Sequence, residues 1–138
     1  GLIGRAPAGS HLYCCGPAGL LAAFETAMQA RPDCAGHIER FASAETPAAQ
    51  GGFRLILRRS GRTIDVLPGQ TMLDALLDAG VDAAFACTNG ICGTCETKVL
   101  AGVPDHRDDF LTDAEKAANA KVMVCCSGAR TPTLELDL

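Results

Sequence analysis

The chain has 138 residues, a formal net charge of −4 at pH 7 and eight cysteines. This length suits one ordinary domain, or one small domain with part of another. The acidic balance argues against a nucleic-acid partner, which requires a basic surface. No apolar run is long enough to span a bilayer, and no N-terminal stretch resembles a signal peptide, so we expect a soluble cytoplasmic protein without a membrane partner.

Residues 1–42 have the pattern of a strand, a helix and a second strand. The segment 11–15 is predicted to be a short buried strand that runs into a Gly-Pro turn, where the helix begins. Apolar residues recur at helical spacing over 20–28, and a second strand is predicted within 36–42. This order is typical of part of a nucleotide-binding α/β sheet, but so few residues cannot form a whole one.

Residues 43–52 are rich in Ala, Pro, Gln and Gly without periodicity, so we predict an interdomain linker. The segment 53–138 is predicted to be a second domain. It opens with an alternating strand, a Ser-Gly turn and a returning strand, which together indicate a β-hairpin. Thr71 is expected to cap the following helix. The buried face of that helix is predicted to contain Leu73, Leu76 and Leu77. Hairpin, helix and further strands favour an α+β fold of the β-grasp type.

Three cysteines form a C-x4-C-x2-C run at Cys87, Cys92 and Cys95, with two glycines between them. A fourth, Cys125, follows after 29 residues. This spacing is that of the plant-type 2Fe-2S ferredoxins, in which one loop supplies three thiolates and a distant segment the last. A zinc site would show two C-x2-C pairs, and a disulfide framework fits poorly because the cysteines fall in clusters. These two remain the alternatives.

Cys125 and Cys126 compete for the fourth ligand position because they are adjacent. The apolar run 122–124 predicts a buried strand that leads into them, and neighbouring side chains on a strand point to opposite faces. We therefore predict that Cys125 faces the metal and that Cys126 is an ordinary buried thiol.

The chain resembles the C-terminal part of the phthalate dioxygenase reductase and vanillate O-demethylase reductase family. The segment 13–17 is similar to the family's Cys-Gly-Pro segment, Glu39 and Phe41 to the closing E-x-F of its NAD domain, and 104–108 to its ferredoxin tail. The resemblance implies that Cys15 lies near the nicotinamide as a catalytic residue. It implies cofactor-binding positions at Cys15, Gly16, Pro17, Glu39 and Phe41, and metal ligands at Cys87, Cys92, Cys95 and Cys125.

Members of this family contain a flavin domain, an NAD-binding domain and a C-terminal plant-type ferredoxin domain. They pass electrons from NADH through FMN to the 2Fe-2S cluster and on to a Rieske-type oxygenase. The R-x-Y-S flavin motif and the glycine-rich phosphate loop are missing here, so we expect a truncated chain that binds neither FMN nor NAD(P)H. Residues 1–42 would then be the C-terminal fragment of the NAD(P)-binding domain.

The function implied by this resemblance is one-electron transfer through a 2Fe-2S cluster. The chain would be the ferredoxin part of an NADH:FMN-dependent oxidoreductase that feeds a Rieske-type aromatic oxygenase or O-demethylase. The electron donor would be the missing flavin and NAD domain, and the acceptor would be the terminal oxygenase. The alternative is a free-standing plant-type ferredoxin that acts as an electron carrier.

Overall fold

The computed structural model describes residues 1–41 and 46–138, apart from the side chain of Ala18. The chain divides into two compact units, Gly1–Phe41 and Ala42–Leu138. Within the described residues, no helix combines the length and the apolar character that crossing a bilayer requires.

The first unit consists of two parallel strands and one helix. After a 3-10 turn at Ile3–Arg5, its elements are β1 (His11–Cys15), α1 (Ala18–Gln29) and β2 (Ala35–Glu39). Strand β1 pairs with β2 in parallel, with Tyr13 opposite His37. The predicted strand, helix and strand are therefore confirmed, while the predicted end of the second strand at Ala42 lies outside the described residues.

Strand β1 is less buried than predicted. Its residues alternate between exposed and half-buried, because α1 packs on one face of the pair and buries Leu21 and Phe24 there. On the exposed face the Tyr13 ring stacks on His37 with centroids 4.6 Å apart, and His37 stacks on His11. The prediction of a buried strand is wrong, since a two-stranded pair with a single helix has only one covered face.

The second unit is built around a mixed sheet with two short helices. Its strands are β3 (Phe53–Leu57), β4 (Arg62–Val66), β5 (Glu96–Ala101), β6 (Pro104–Asp105), β7 (Lys121–Met123), β8 (Gly128–Ala129) and β9 (Thr133–Leu136). Its helices are α2 (Met72–Asp78) and α3 (Asp113–Ala118). Five strands form one sheet in the order β4-β3-β9-β5-β7, and β6 pairs with β8. Strand β3 is antiparallel to β4 and parallel to β9. This arrangement confirms the predicted α+β fold with a β-grasp hairpin and helix.

The core of this unit follows the alternation of its strands. Phe53, Leu55 and Leu57 are buried, and the last two pair in register with Leu134 and Leu136 of β9. A fully buried leucine stabilises a fold by about 1.5–3 kcal/mol relative to an exposed one. The predicted hairpin is confirmed. Because side chains on a strand alternate between its two faces, every second residue of β3 faces the core.

Helix α2 begins as predicted and buries two of its three predicted leucines. The Thr71 hydroxyl accepts a hydrogen bond from the Asp74 backbone N–H at 3.1 Å, and the Asp74 carboxylate accepts one from the Thr71 N–H at 3.0 Å. Leu73 and Leu76 are buried, but Leu77 is 40% exposed. Met72 is fully buried instead, since it lies one helical turn before Leu76 on the same face.

Residues 46–52, the described part of the predicted linker, belong to the second unit and hydrogen-bond to its other residues. The Ala48 N–H donates to the Cys126 carbonyl at 2.8 Å, and the Gly69 N–H donates to the Ala49 carbonyl at 2.7 Å. The Gly52 N–H donates to Val66 of β4. These residues therefore extend the hydrogen-bonded structure of the second unit beyond its strands and helices.

Candidate metal centre

The loop between α2 and β5 carries three of the predicted metal ligands. It turns through left-handed backbone conformations at Thr88, Gly90 and Gly93, with φ of 56°, 73° and 76°. Glycine adopts this conformation at no steric cost. The loop is thus bent enough to present Cys87, Cys92 and the buried Cys95 from one short segment.

Among the four predicted ligands, Cys92 lies near Cys87, and Cys95 lies near Cys125. The Cys92 thiol interacts with the side chain and backbone of Cys87. The neighbouring Cys125 side chain, together with burial, raises the pKa of the Cys95 thiol. Residues 1–41 and 46–138 contain no group of three or more His, Cys, Asp or Glu arranged for one metal ion. Two thiolates on each iron is the arrangement that a two-iron cluster with four cysteines requires.

The two pairs differ in their access to solvent. Cys95 and Cys125 are each 4% exposed, and the Cys95 Sγ also lies 4.0 Å from the Met123 Sδ. Cys92 is exposed and Cys87 is half-buried. One side of the site is therefore closed by the core, and the other is open at the surface.

Backbone N–H groups of the loop point at the sulfur atoms. The Asn89 N–H donates to the Cys87 Sγ at 3.3 Å, and the Thr94 N–H donates to the Cys92 Sγ at 3.5 Å. The Gly90 N–H interacts with Cys125 and acts to lower the pKa of that thiol. Such donors stabilise negative charge on ligand sulfurs.

Thr94 also places its side chain on Cys92. Its Oγ1 atom lies 3.3 Å from the Cys92 Sγ. This contact and the backbone groups of Cys87 and Thr94 lower the pKa of Cys92 to about 6. The Cys92 thiolate is thus favoured near neutral pH.

Cys125 and Cys126 lie in a turn, so the argument from strand alternation is wrong. Strand β7 ends at Met123, and the Met123 carbonyl accepts hydrogen bonds from the N–H groups of Cys126 and Ser127. The Leu73 N–H of α2 donates to the Val124 carbonyl at 2.9 Å and ties this turn to the helix. The side chain of Cys126 contacts that of Cys125 and is the main cause that raises the pKa of Cys125 to about 11.

The choice of Cys125 as the fourth ligand now rests on its contact with Cys95. Cys126 is 1% exposed, as expected for a buried thiol. Its Sγ lies 3.9 Å from the Met123 carbonyl oxygen, so it faces the strand end.

The sequence analysis did not predict that residues 108–111, which follow β5 in the chain, pack over the cysteine loop. The Asp109 N–H donates to the Gly90 carbonyl at 3.0 Å, and the Phe110 ring lies against Gly93. The fully buried Asp108 carboxylate accepts hydrogen bonds from the N–H groups of Phe110 and Leu111. The only signal in the sequence is an Asp two and three residues before the amides it binds, a common local turn pattern.

The candidate nucleotide residues lie in the first unit. Cys15 and Glu39 are partners at the carboxyl ends of β1 and β2, the edge at which open α/β sheets bind ligands. They line a cavity of about 170 Å³ together with Tyr13, Cys14 and His37.

The other three candidates do not line that cavity in the described structure. Gly16 has a φ of 145°, and Pro17 is the N-cap of α1 instead of a residue in its first turn. Phe41 is 62% exposed. The structure therefore brings only Cys15 and Glu39 of this set together.

The cysteine site fits a 2Fe-2S cluster by the chemistry of its donors. Four thiols, the soft ligands that bind iron-sulfur clusters, meet in two pairs with backbone donors aimed at their sulfurs. A coordinating thiol is deprotonated by the metal, even where its pKa without the metal is raised, as at Cys95 and Cys125.

Comparisons with known proteins agree with this chemistry. Residues 55–130 match the family model described as the 2Fe-2S iron-sulfur cluster binding domain. The chain is 52% identical over 137 residues to the phenoxybenzoate dioxygenase subunit beta of Ectopseudomonas oleovorans, covering 99% of this chain and 43% of that protein. It is 43% identical to the vanillate O-demethylase oxidoreductase of Pseudomonas sp. strain HR199, covering 99% of this chain and 44% of that protein.

A solved structure extends the likeness to the fold. Phthalate dioxygenase reductase, described as a modular structure for electron transfer from pyridine nucleotides to 2Fe-2S, superposes with a TM-score of 0.74 at 34% identity. The match covers 99% of this chain and 42% of that one. The chain therefore spans less than half the length of these relatives.

Proposed function

Because the chain belongs to the family of 2Fe-2S iron-sulfur cluster binding domains, we propose that it transfers single electrons as the ferredoxin part of an NADH:FMN-dependent reductase component. The observation that carries this proposal is the meeting of Cys95 with Cys125, which joins the loop to a turn that is distant in sequence. The relatives named as a dioxygenase subunit beta and an O-demethylase oxidoreductase support the same role.

In the proposed site, Cys87 and Cys92 hold one iron, and Cys95 and Cys125 hold the other. A bound 2Fe-2S cluster with four cysteine ligands supplies one-electron transfer at a potential of about −400 mV. The buried Cys95 and Cys125 exclude water from one side, while the exposed Cys92 leaves an edge near the surface. The N–H groups of the loop stabilise the negative charge of the thiolates.

The proposed acceptor is a terminal oxygenase of the Rieske type that acts on an aromatic substrate, and the proposed donor is a flavin and NAD domain. Between Thr63 and Asn119, ten acidic residues stand against Lys98, Arg107 and Lys116, a balance of −7. Asp108 is fully buried, and the other nine form an acidic surface, which steers a basic partner by long-range attraction. We place the reaction in the cytoplasm, where cysteines stay reduced.

The nearness of Cys15 to Glu39 supports a nicotinamide contact in a longer protein. Their cavity of about 170 Å³ is small beside the pockets of about 300–1,000 Å³ that enclose whole ligands. Residues 1–42 are thus proposed as one wall of an NAD(P)-binding domain, and 53–138 as the electron-transfer domain.

The test is to purify the chain without oxygen and to measure its visible spectrum, iron and sulfide. We expect a red-brown protein with two irons per chain that takes up one electron from dithionite and passes it to cytochrome c. NADH alone should give no reduction. A colourless protein that contains zinc would overturn the proposal, and NADH-driven reduction would overturn the need for a separate flavin domain.

The ligand assignment has a matched pair of variants. Cys125→Ala should lose the cluster, because Cys125 contacts Cys95, whereas Cys126→Ala should keep two irons per chain. The reverse outcome would assign the fourth ligand to Cys126. Transfer to an acceptor is measured by mixing the reduced protein with a purified Rieske oxygenase, such as that of a vanillate O-demethylase, in a stopped-flow instrument.

A further inference from the structure

The cysteine loop contains an asparagine that is followed directly by a glycine. Asn89 is exposed, and Gly90 is buried with a φ of 73°. Because glycine has no Cβ, its backbone nitrogen is not shielded from the amide of the preceding side chain. The other asparagine of the chain, Asn119, is the C-cap of α3 and is followed by Ala120. The loop therefore holds the one Asn-Gly pair of the sequence.

An Asn-Gly pair can lose the side-chain amide by an internal reaction. The Gly90 backbone nitrogen gives up its proton to water and forms a bond to the Asn89 Cγ, while the bond from Cγ to Nδ2 breaks and ammonia leaves. Water then opens the resulting succinimide ring at either carbonyl, which gives aspartate or isoaspartate. No oxidant or other reactant takes part, and asparagine is accordingly one of the thermolabile residues.

The loop holds both reacting groups away from this reaction. The Asn89 Nδ2 donates to the Cys87 carbonyl at 2.8 Å, which precedes Asn89 in the chain, whereas the attacking nitrogen follows it. The Asn89 N–H donates to the Cys87 Sγ at 3.3 Å, and the Gly90 N–H interacts with Cys125. Two of these contacts end on proposed ligand sulfurs, so a cluster that fixes Cys87 and Cys125 also fixes Asn89 and Gly90.

We propose that Asn89 is a deamidation site that the bound cluster protects, so that loss of the cluster becomes irreversible with time. This inference rests on the proposed function, in which Cys87 and Cys125 are ligands. Without the cluster, the loop is held by weak contacts to sulfur and by hydrogen bonds at the surface, and segments of this kind open locally at little cost in free energy. Isoaspartate then adds a carbon atom to the backbone between Cys87 and Cys92, which changes the spacing of these two thiols.

The experiment incubates the cluster-loaded chain and the metal-free chain side by side without oxygen and maps the mass of their peptides. In the metal-free chain we expect Asn89 to gain the mass of an amide-to-carboxyl change, with isoaspartate detected by enzymatic methylation. In the cluster-loaded chain the reaction should be slower by a factor of roughly 10–100, because a side-chain hydrogen bond and one to a charged sulfur must break first. Asn119 is the internal control and should stay unchanged in both samples.

A second readout is the recovery of iron by the aged metal-free chain, with its thiols kept reduced. The parent should lose its capacity to bind two irons in step with the change of mass at Asn89. Asn89→Gln and Asn89→Ser, each compared with its own fresh sample, should keep their capacity. Glutamine would have to close a larger ring, which forms more slowly, and serine has no amide to lose.

Equal rates of deamidation at Asn89 with and without the cluster, or equal rates at Asn89 and Asn119, would overturn the proposal. Loss of iron binding by aged Asn89→Gln as fast as by the parent would also overturn it, since the loss would not come from the amide. A fresh parent chain that never binds two irons would refute the proposed function. A fresh chain with two irons whose Asn89 stays unmodified after the cluster is removed would refute this inference alone.

Discussion

Gly93→Ala should weaken retention of the metal centre through two separable effects. Gly93 has a φ of 76°, and a non-glycine residue in this left-handed region costs about 1–2 kcal/mol. A Cβ atom there would clash with the Cζ of Phe110, because the two would lie well inside van der Waals contact. Because Phe110 is 47% exposed, its ring can turn into solvent, so the clash costs the packing of one ring and leaves the loop intact.

A double-mutant cycle with Phe110→Ala separates the backbone strain from the clash. In the parent background we expect Gly93→Ala to cost about 2–4 kcal/mol, the sum of strain and lost ring packing. In the Phe110→Ala background only the strain of about 1–2 kcal/mol should remain. The coupling between the two sites should therefore be about 1–2 kcal/mol, within the range for residues in contact.

The assay is the rate at which visible absorbance disappears in guanidinium chloride under anaerobic conditions. The strain is released before the cluster leaves, so it acts on the rate of absorbance loss. A difference of about 1–2 kcal/mol therefore changes that rate roughly 5–30-fold. Gly93→Ala should accelerate the loss less in the Phe110→Ala background than in the parent. Equal acceleration in both backgrounds would refute the ring contact, and no acceleration in either would refute the left-handed backbone at Gly93.

Two further predictions concern the stability of the second unit. Leu55→Ala should destabilise the protein by about 2–5 kcal/mol, because Leu55 is fully buried, while Leu77→Ala at a partly exposed position should cost much less; denaturant unfolding followed by circular dichroism compares them. Hydrogen bonds from Thr112 and then Lys121 hold the pKa of Glu115 below its usual 4.5. The charged Glu115 therefore adds stability above pH 4.5 and loses it as the pH falls through the lowered pKa. The difference in Tm between the parent and Glu115→Gln should shrink below pH 4.5, and a constant difference would contradict this.

Features determined by neighbours in sequence were predicted well. The hydrogen bonds of Thr71 with Asp74 span three residues, so the capping box is visible in the sequence itself. The burial of Leu55 and Leu57 follows from alternation along a single strand.

Features that depend on distant contacts were not predictable in this way. The turn that contains Cys125 is held by the hydrogen bond from the Leu73 N–H to the Val124 carbonyl. The residues near Cys125 in sequence do not indicate that Leu73 is the partner. The same holds for Phe110, which reaches Gly93 only because the chain turns back after β5. Strand β1 was wrongly predicted to be buried, because an apolar run does not indicate whether one or both faces of the strand are covered.

The hydrogen bonds of residues 48–52 bear on how the electron-transfer part can be dissected from the rest. A fragment that starts at residue 53 would lose Ala48, whose N–H binds the Cys126 carbonyl next to Cys125. A buried acceptor without its donor costs about 1–3 kcal/mol. It would also lose Ala49 and Gly52, which bond to Gly69 and Val66. A minimal electron carrier cut from this chain should therefore start before Ala48, although the sheet itself begins only at Phe53.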